Sequence, residues 1–193
     1  FVGYFVLKLS ELSRQYKMPV KIRLCDTMGY GLTYENAQLP RSIDKWAKYF
    51  VDILKIPAEL VEWHGHNDFH RSLINASQAW VSGIGGVNCA LGGIGERTGN
   101  TPLEGMVIEY LQLKGSPTNQ NGQGLNLRVL KEIGNYLTSI GVQIPGNYPL
   151  LGKNAFATSA GVHIAAILKN PMIYLPFNPE LIDREPAIII TNT

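Results

Sequence analysis

The stretch Val61-Glu62-Trp63-His64-Gly65-His66-Asn67-Asp68 decides how the chain is organised. Val, Glu and Trp followed by His-x-His read as the end of a β-strand. Side chains alternate between the faces of a strand, so His64 and His66 point the same way, roughly 6.5–7 Å apart along the backbone. Two imidazoles at that spacing can converge on one metal ion; they can equally pack and hydrogen-bond as ordinary strand residues. Asn67 and Asp68 lead into a loop, where the carboxyl end of a parallel strand presents chemistry.

Working outward, Pro57 interrupts the chain before this strand. Upstream, Pro40 and Ser42 open a helix that runs to about Leu54 through Trp46, Phe50 and Ile53. Before that, residues 20–25 form a short strand feeding the turn Asp26-Thr27-Met28-Gly29-Tyr30-Gly31. Residues 1–16 already carry Phe5, Val6, Leu9 and Leu12 at helical spacing, and Pro19 confirms the stop near Lys17. Downstream, residues 71–81 read as a helix ended by Gly83, Gly85 and Gly86. Residues 87–91 read as a third strand, opening into Gly92-Gly93-Ile94-Gly95-Glu96-Arg97-Thr98-Gly99-Asn100, and Pro102 starts another helix. Strands alternating with helices predict a parallel sheet with helical crossovers. Polar, Gly-rich loops at every strand end match the catalytic face of a (β/α)8 barrel, with an open doubly wound sheet as the competing architecture. Three strands cannot close a barrel of eight. The expected fold is therefore α/β, the C-terminal portion of a TIM barrel (about three βα units) over residues 1–115. Residues 116–124 read as a polar linker. Residues 125–193 read as a small helical subdomain: an amphipathic helix over 125–140, an apolar helical segment over 155–168, and an extended arm set by Pro171, Pro176 and Pro179.

With 193 residues, 45% hydrophobic and 17% charged, the chain can bury a core, and Trp46, Trp63 and Trp80 are expected there. A net charge of +2 without a basic run gives no reason to invoke nucleic acid. No run of eighteen apolar residues suggests a membrane span, and the apolar start lacks the features of a signal peptide. Cys25 and Cys89 are expected as reduced core thiols of a cytoplasmic protein. Both ends look cut, mid-helix at Phe1 and mid-strand at residues 187–190.

His64 and His66 supply two nitrogen ligands, and Asn100 could add a carbonyl oxygen. Such a set suits Zn, Mn, Co or Mg without choosing among them. A metal with open positions can polarise the ketone of a 2-oxo acid. Thr27 is placed to donate a hydrogen bond to a carboxylate, or to cap its own turn. His70 and Arg71 could sit beside a second carboxylate, or simply start a solvated helix. Four glycines in residues 92–100 permit close approach of backbone to a ligand, but also make a tight turn in which Glu96 and Arg97 pair in solvent. His163 lies on an apolar segment, as a core histidine or as a general acid/base.

The motifs Asp26-Thr27-Met28-Gly29-Tyr30, His64-Gly65-His66-Asn67-Asp68 and Gly93-Ile94-Gly95-Glu96-Arg97-Thr98-Gly99-Asn100, in that order, resemble the 2-isopropylmalate synthase, homocitrate synthase and citramalate synthase family of acetyl-CoA-dependent condensing enzymes. Asn154-Ala155-Phe156-Ala157 with Ser159-Ala160-Gly161-Val162-His163 resembles that family's post-barrel motif, and Tyr174 matches its downstream tyrosine. Residues 64–70 and 98–110 look most like the citrate (Re)-synthase and homocitrate synthase branch. The resemblance implies that His64 and His66 ligate a divalent metal, with Asn100 in or beside the shell. It implies that Thr27 contacts the 2-oxo acid, with His70 and Arg71 beside it, and that Gly93, Gly95, Glu96 and Arg97 contact CoA. It also implies that His163 and Tyr174 are catalytic, reaching a neighbouring subunit's site in a homodimer. The implied reaction is a Claisen condensation with thioester hydrolysis that releases CoA.

The family's first-strand motif Asp-x-Thr-Leu-Arg-Asp-Gly, which carries a metal Asp and a catalytic Arg, does not occur here. The chain by itself is therefore expected to bind metal weakly and to turn nothing over. A related group of lyases, which cleave 3-hydroxy-3-methylglutaryl-CoA, places a catalytic Cys in the Gly-rich loop; Glu96-Arg97-Thr98 has none. A metal amidohydrolase would need further histidines on later strands. An inactive remnant serving as a dimerisation module is the non-enzymatic alternative.

Overall fold

In the computed structural model, residues 1–115 and 124–189 are described. The linker expected at 116–124 lies outside them except for Gly124, as does the end of the run at 187–190. The chain divides into two compact units, Phe1–Tyr110 and Leu111–Thr193.

The first unit is a parallel α/β layer. Helix α1 (Val2–Tyr16) ends where Lys17 turns left-handed at φ 52°, with its N–H returned to Arg14 and that of Met18 to Ser13. Pro19 then forbids continuation. Strand β1 (Ile22–Asp26) pairs with β2 (Val61–Gly65), which pairs with β3 (Gly86–Val87); both pairings are parallel, in the order β1-β2-β3. Helix α2 (Ile43–Lys48) is capped by the buried Ser42 hydroxyl, which accepts from the Lys45 N–H, and continues as a π turn over Tyr49–Ile53. Helix α3 (Ser72–Val81) carries the chain from β2 to β3, and α4 (Leu103–Lys114) follows the Gly-rich loop.

Strand alternation sorts the sheet. Ile22, Leu24, Val61, Trp63 and Val87 face a core built from Val6, Ile43, Ala47, Phe50, Ala76, Ala79 and Ile84. The other face carries Arg23 and Cys25 of β1, in register with Glu62 and His64 of β2. There Lys21 and Arg23 both pair with Glu62 at 3.0 Å, and these two cations hold its carboxyl below the usual range.

Three expectations are corrected. Cys25 is exposed, because it shares a face with Arg23 rather than with Leu24; Cys89 is half-buried, and both thiols are free. The third strand is two residues long, since Leu91–Gly93 curls into a 3-10 turn through Gly92 at φ 63°. The second unit is not purely helical. Helix α5 (Val129–Ser139) buries Leu130, and α6 (Gly161–Ile167) carries His163, but β4 (Ala157–Thr158) and β5 (Ala187–Ile188) pair in parallel. The expected extended arm forms 3-10 turns at Pro171–Tyr174 and Pro179–Ile182, each started by an Asn cap, Asn170 and Asn178.

Candidate metal centre

Three loops meet at the carboxyl ends of the strands. His66, just past β2, bridges Asn100 in the antiparallel sense, and the Asn67 N–H donates to Gly99 O at 2.9 Å. Asn67 Oδ1 accepts from the Ser72 hydroxyl at 3.0 Å, and Thr101 Oγ1 donates to Ser72 O. These bonds fasten the Gly-rich loop to the start of α3. The loop after β1 is held by Asp26, whose Oδ2 accepts from Gly31 N at 2.9 Å and whose carbonyl accepts from His66 N.

The His64 and His66 rings lie 5.0 Å apart between centroids, nearly perpendicular at 81°. His66 is buried, and its Nδ1 lies 2.8 Å from Thr27 O. A carbonyl oxygen only accepts, so Nδ1 is the donor, and in the neutral tautomer this leaves the lone pair on Nε2. His64 Nδ1 is buried without a partner. Burial first, then the neighbouring His66 and Arg23, lowers the His64 pKa and keeps its ring neutral, as a ligand requires. Asn100 donates from Nδ2 to Ile94 O at 3.2 Å, leaving Oδ1 buried and unpartnered. A Cβ on Gly95 would lie 2.5 Å from the Asn100 amide, and one on Gly99, at φ 98°, 2.2 Å from Gly93 O; these two glycines let the loop close on Asn100.

Orphaned buried acceptors cost free energy unless something binds them. His64 Nδ1 and Asn100 Oδ1 are two such atoms, and together with His66 Nε2 they make a fitting donor set for a divalent ion. Among the described residues no cluster holds three or more His, Cys, Asp or Glu, so the set is short of a full shell.

The other expected residues fall as follows. Thr27 is exposed and lines a cleft of about 600 Å3 with Asp26, Met28, Tyr30, Arg41 and Trp46. His70 is exposed at φ 57°, and Arg71 lies over the Phe69 ring at 5.5 Å with Nη1 buried and unpartnered. Glu96 does pair with Arg97, at 3.0 Å, but Arg97 also grips Asp68 at 2.9 Å and the Thr27 carbonyl. Its guanidinium is thus engaged within the protein. In the second unit the His163 and Tyr174 rings stack at 3.8 Å.

Sequence reasoning missed Glu104. It is buried in the first turn of α4, accepting from Gly92 N at 3.0 Å with Oε1 unpartnered. Thr101-Pro102-Leu103-Glu104 has the capping-box form that could have flagged it. Burial, with Glu104 adding to it, pushes the Cys89 thiol up to about 11, so no thiolate stands at the mouth of this loop.

Residues 4–136 match the family model described as HMGL-like. The chain belongs to the HMGL-like family. Within it, the chain is 46% identical over 185 residues to the citrate (Re)-synthase of Syntrophus aciditrophicus, covering 95% of this chain and 29% of that protein. It is 39% identical over 190 residues to the citrate (Re)-synthase of Clostridium kluyveri, covering 98% and 41%. A 2-phosphinomethylmalate synthase of Streptomyces hygroscopicus is 32% identical over 194 residues, covering 99% and 43%. The chain thus spans less than half the length of these relatives, and the candidate metal centre lies inside the matched region. Among the described residues no helix is long and apolar enough to cross a membrane.

Proposed function

We propose that this chain is part of an acyltransferase that condenses acetyl-CoA with a 2-oxo acid, of the citrate (Re)-synthase or homocitrate synthase type, with 2-isopropylmalate synthase next. The observation that carries the reading is the 46% identity to a citrate (Re)-synthase over nearly the whole chain, against 34% to a 2-isopropylmalate synthase and 32% to a 2-phosphinomethylmalate synthase. Oxaloacetate is accordingly the first 2-oxo acid to try. The fold proposed for the whole is a (β/α)8 barrel to which β1, β2 and β3 contribute, working as a cytoplasmic homodimer with subdomain exchange.

His64, His66 and Asn100 would hold the divalent ion, of the Zn, Mn, Co or Mg kind. What a bound ion supplies is Lewis acidity toward the ketone. Thr27 and Arg71 receive the carboxylates of the oxo acid; Arg71 brings a buried donor without a partner. His70 stands exposed beside them. Gly93 and Gly95, with Glu96, offer backbone to CoA. The guanidinium of Arg97 is already engaged by Asp68, Glu96 and the Thr27 carbonyl. His163 and Tyr174 move protons: the imidazole stacks on the phenol, so a ring nitrogen and a hydroxyl that can exchange a proton stand side by side. The methyl carbon of acetyl-CoA loses a proton to a base and bonds to the ketone carbon, whose C=O π pair moves to oxygen, and that oxygen takes up a proton to become the hydroxyl; water then adds to the thioester carbonyl, leaving a carboxylate and releasing CoA as the thiol. The neutral Cys89 and the thiol-free loop 92–100 favour condensation over the lyase reading, which relies on a loop cysteine.

The test exchanges this chain for the matching segment of the Syntrophus aciditrophicus enzyme and measures CoA release from acetyl-CoA with a panel of 2-oxo acids. Activity with oxaloacetate supports the reading. A soluble chimera that binds metal yet releases no CoA with any oxo acid refutes it and leaves the dimerisation-module alternative.

A further inference from the structure

One peptide carbonyl ties all three strand-end loops together. Thr27 O, after β1, accepts from His66 Nδ1 at 2.8 Å and from the Arg97 guanidinium. Arg97, in the Gly-rich loop, reaches it while its Nε and Nη2 hold Asp68 Oδ1 and Oδ2 at 2.9 and 3.3 Å, and its Nη1 holds Glu96 at 3.0 Å. Its own backbone sits at φ 53°, a conformation that a side-chain-bearing residue keeps only where its surroundings impose it.

We propose that Arg97 is a positioning residue for His66: by fastening the Thr27 carbonyl, it keeps the imidazole proton on Nδ1 and the lone pair on Nε2. A neutral imidazole has one donor and one acceptor nitrogen, and it exchanges them unless a fixed partner chooses. The Thr27 carbonyl is that partner; its turn is exposed and held at its base by Asp26, and Arg97 fastens the carbonyl itself. A planar guanidinium fork can grip Asp68 and the carbonyl together, which an ammonium cannot do with the same geometry. The consequence is that His66 meets a metal ion with its tautomer already chosen. The inference thereby rests on the metal-site reading for its purpose, though the tautomer itself is a property of the metal-free chain.

The test is nitrogen-15 NMR of the histidine rings in the metal-free 193-residue chain, at alkaline pH where imidazoles are neutral. His66 is assigned by its loss in His66→Gln. The expected result is His66 protonated on Nδ1. In Arg97→Ala its population shifts several-fold toward the Nε2-protonated form, with His163 signals and circular dichroism unchanged. Asp68→Asn, nearly isosteric, shifts it the same way by less, and it decides the matter if Arg97→Ala does not fold. An Nε2-protonated His66 in the parent chain, or an Nδ1-protonated His66 retained in both variants, overturns the proposal. As a second readout, Zn2+ affinity falls by about 10- to 100-fold in Arg97→Ala. If the parent chain binds no Zn2+ at all, the metal reading fails, and the tautomer result still decides the role of Arg97.

Discussion

The two candidate sites are held by different physics. His64, His66 and Asn100 are fixed by a network of hydrogen bonds: a bridge between residues 66 and 100, the Asn67 N–H donating to Gly99 O, and the side-chain clasp of Arg97 on Asp68 and the Thr27 carbonyl. His163 and Tyr174 meet through ring stacking between α6 and a 3-10 turn. The first arrangement suits a ligand set, where orphaned acceptors must converge within tenths of an ångström. The second suits groups that move protons and need to approach and withdraw. The contrast can be broken by substitution. In the chimera, His64→Ala should abolish CoA release, by about 1,000-fold or more, together with metal binding. His163→Ala should lower release by about 100- to 10,000-fold, the usual range for a lost acid/base, with metal binding intact. Equal loss of metal binding in both variants would erase the distinction.

The scaffold beneath the first site gives the next largest effect. Phe50 is fully buried at the centre of the core, and Phe50→Ala should cost about 3–5 kcal/mol in urea unfolding. A loss below 1 kcal/mol would mean that the π turn carrying it repacks. The thiols offer a smaller contrast. Cys25, exposed on the open sheet face, should react first with an alkylating reagent. Cys89, held neutral by burial beside Glu104, should lag until pH nears about 11.

The smallest expected effect is pH dependence of the clasp. Hydrogen bonding to Arg97 lowers the Asp68 pKa. A depressed carboxylate stabilises the fold above its unfolded pKa, and that contribution disappears as pH falls through the folded value. Acidification below the ordinary carboxylate range should therefore loosen the Thr27 turn in the parent chain, seen as faster amide exchange there. Asp68→Asn should already show fast exchange at neutral pH and no further acid step.

Much of this was legible in the sequence. The His-x-His strand end, the parallel βα order and the three loop motifs follow from alternation and Gly placement. The sidedness of Cys25 was misjudged, although Arg23 two residues earlier marks the polar face. The short third strand was harder: residues 87–91 have strand propensity, but Gly92 takes a positive φ and the Ala90 carbonyl accepts from Leu103 N instead. The Arg97 clasp was out of reach, because 70 residues separate Arg97 from Thr27 and only the folded loops bring them together. Pairing of Arg97 with its neighbour Glu96 was visible; the stronger grip on Asp68 was not.

The central claim is that the loops after β1, β2 and β3 assemble a partial metal site from His64, His66 and Asn100. Calorimetric titration of the metal-free chain with Zn2+ tests it most directly. Weak binding of one ion per chain, lost in His64→Ala and in His66→Ala and weakened in Asn100→Ala, is the predicted result. No binding by the parent chain, or the same binding in a His64→Ala/His66→Ala double variant, would contradict it.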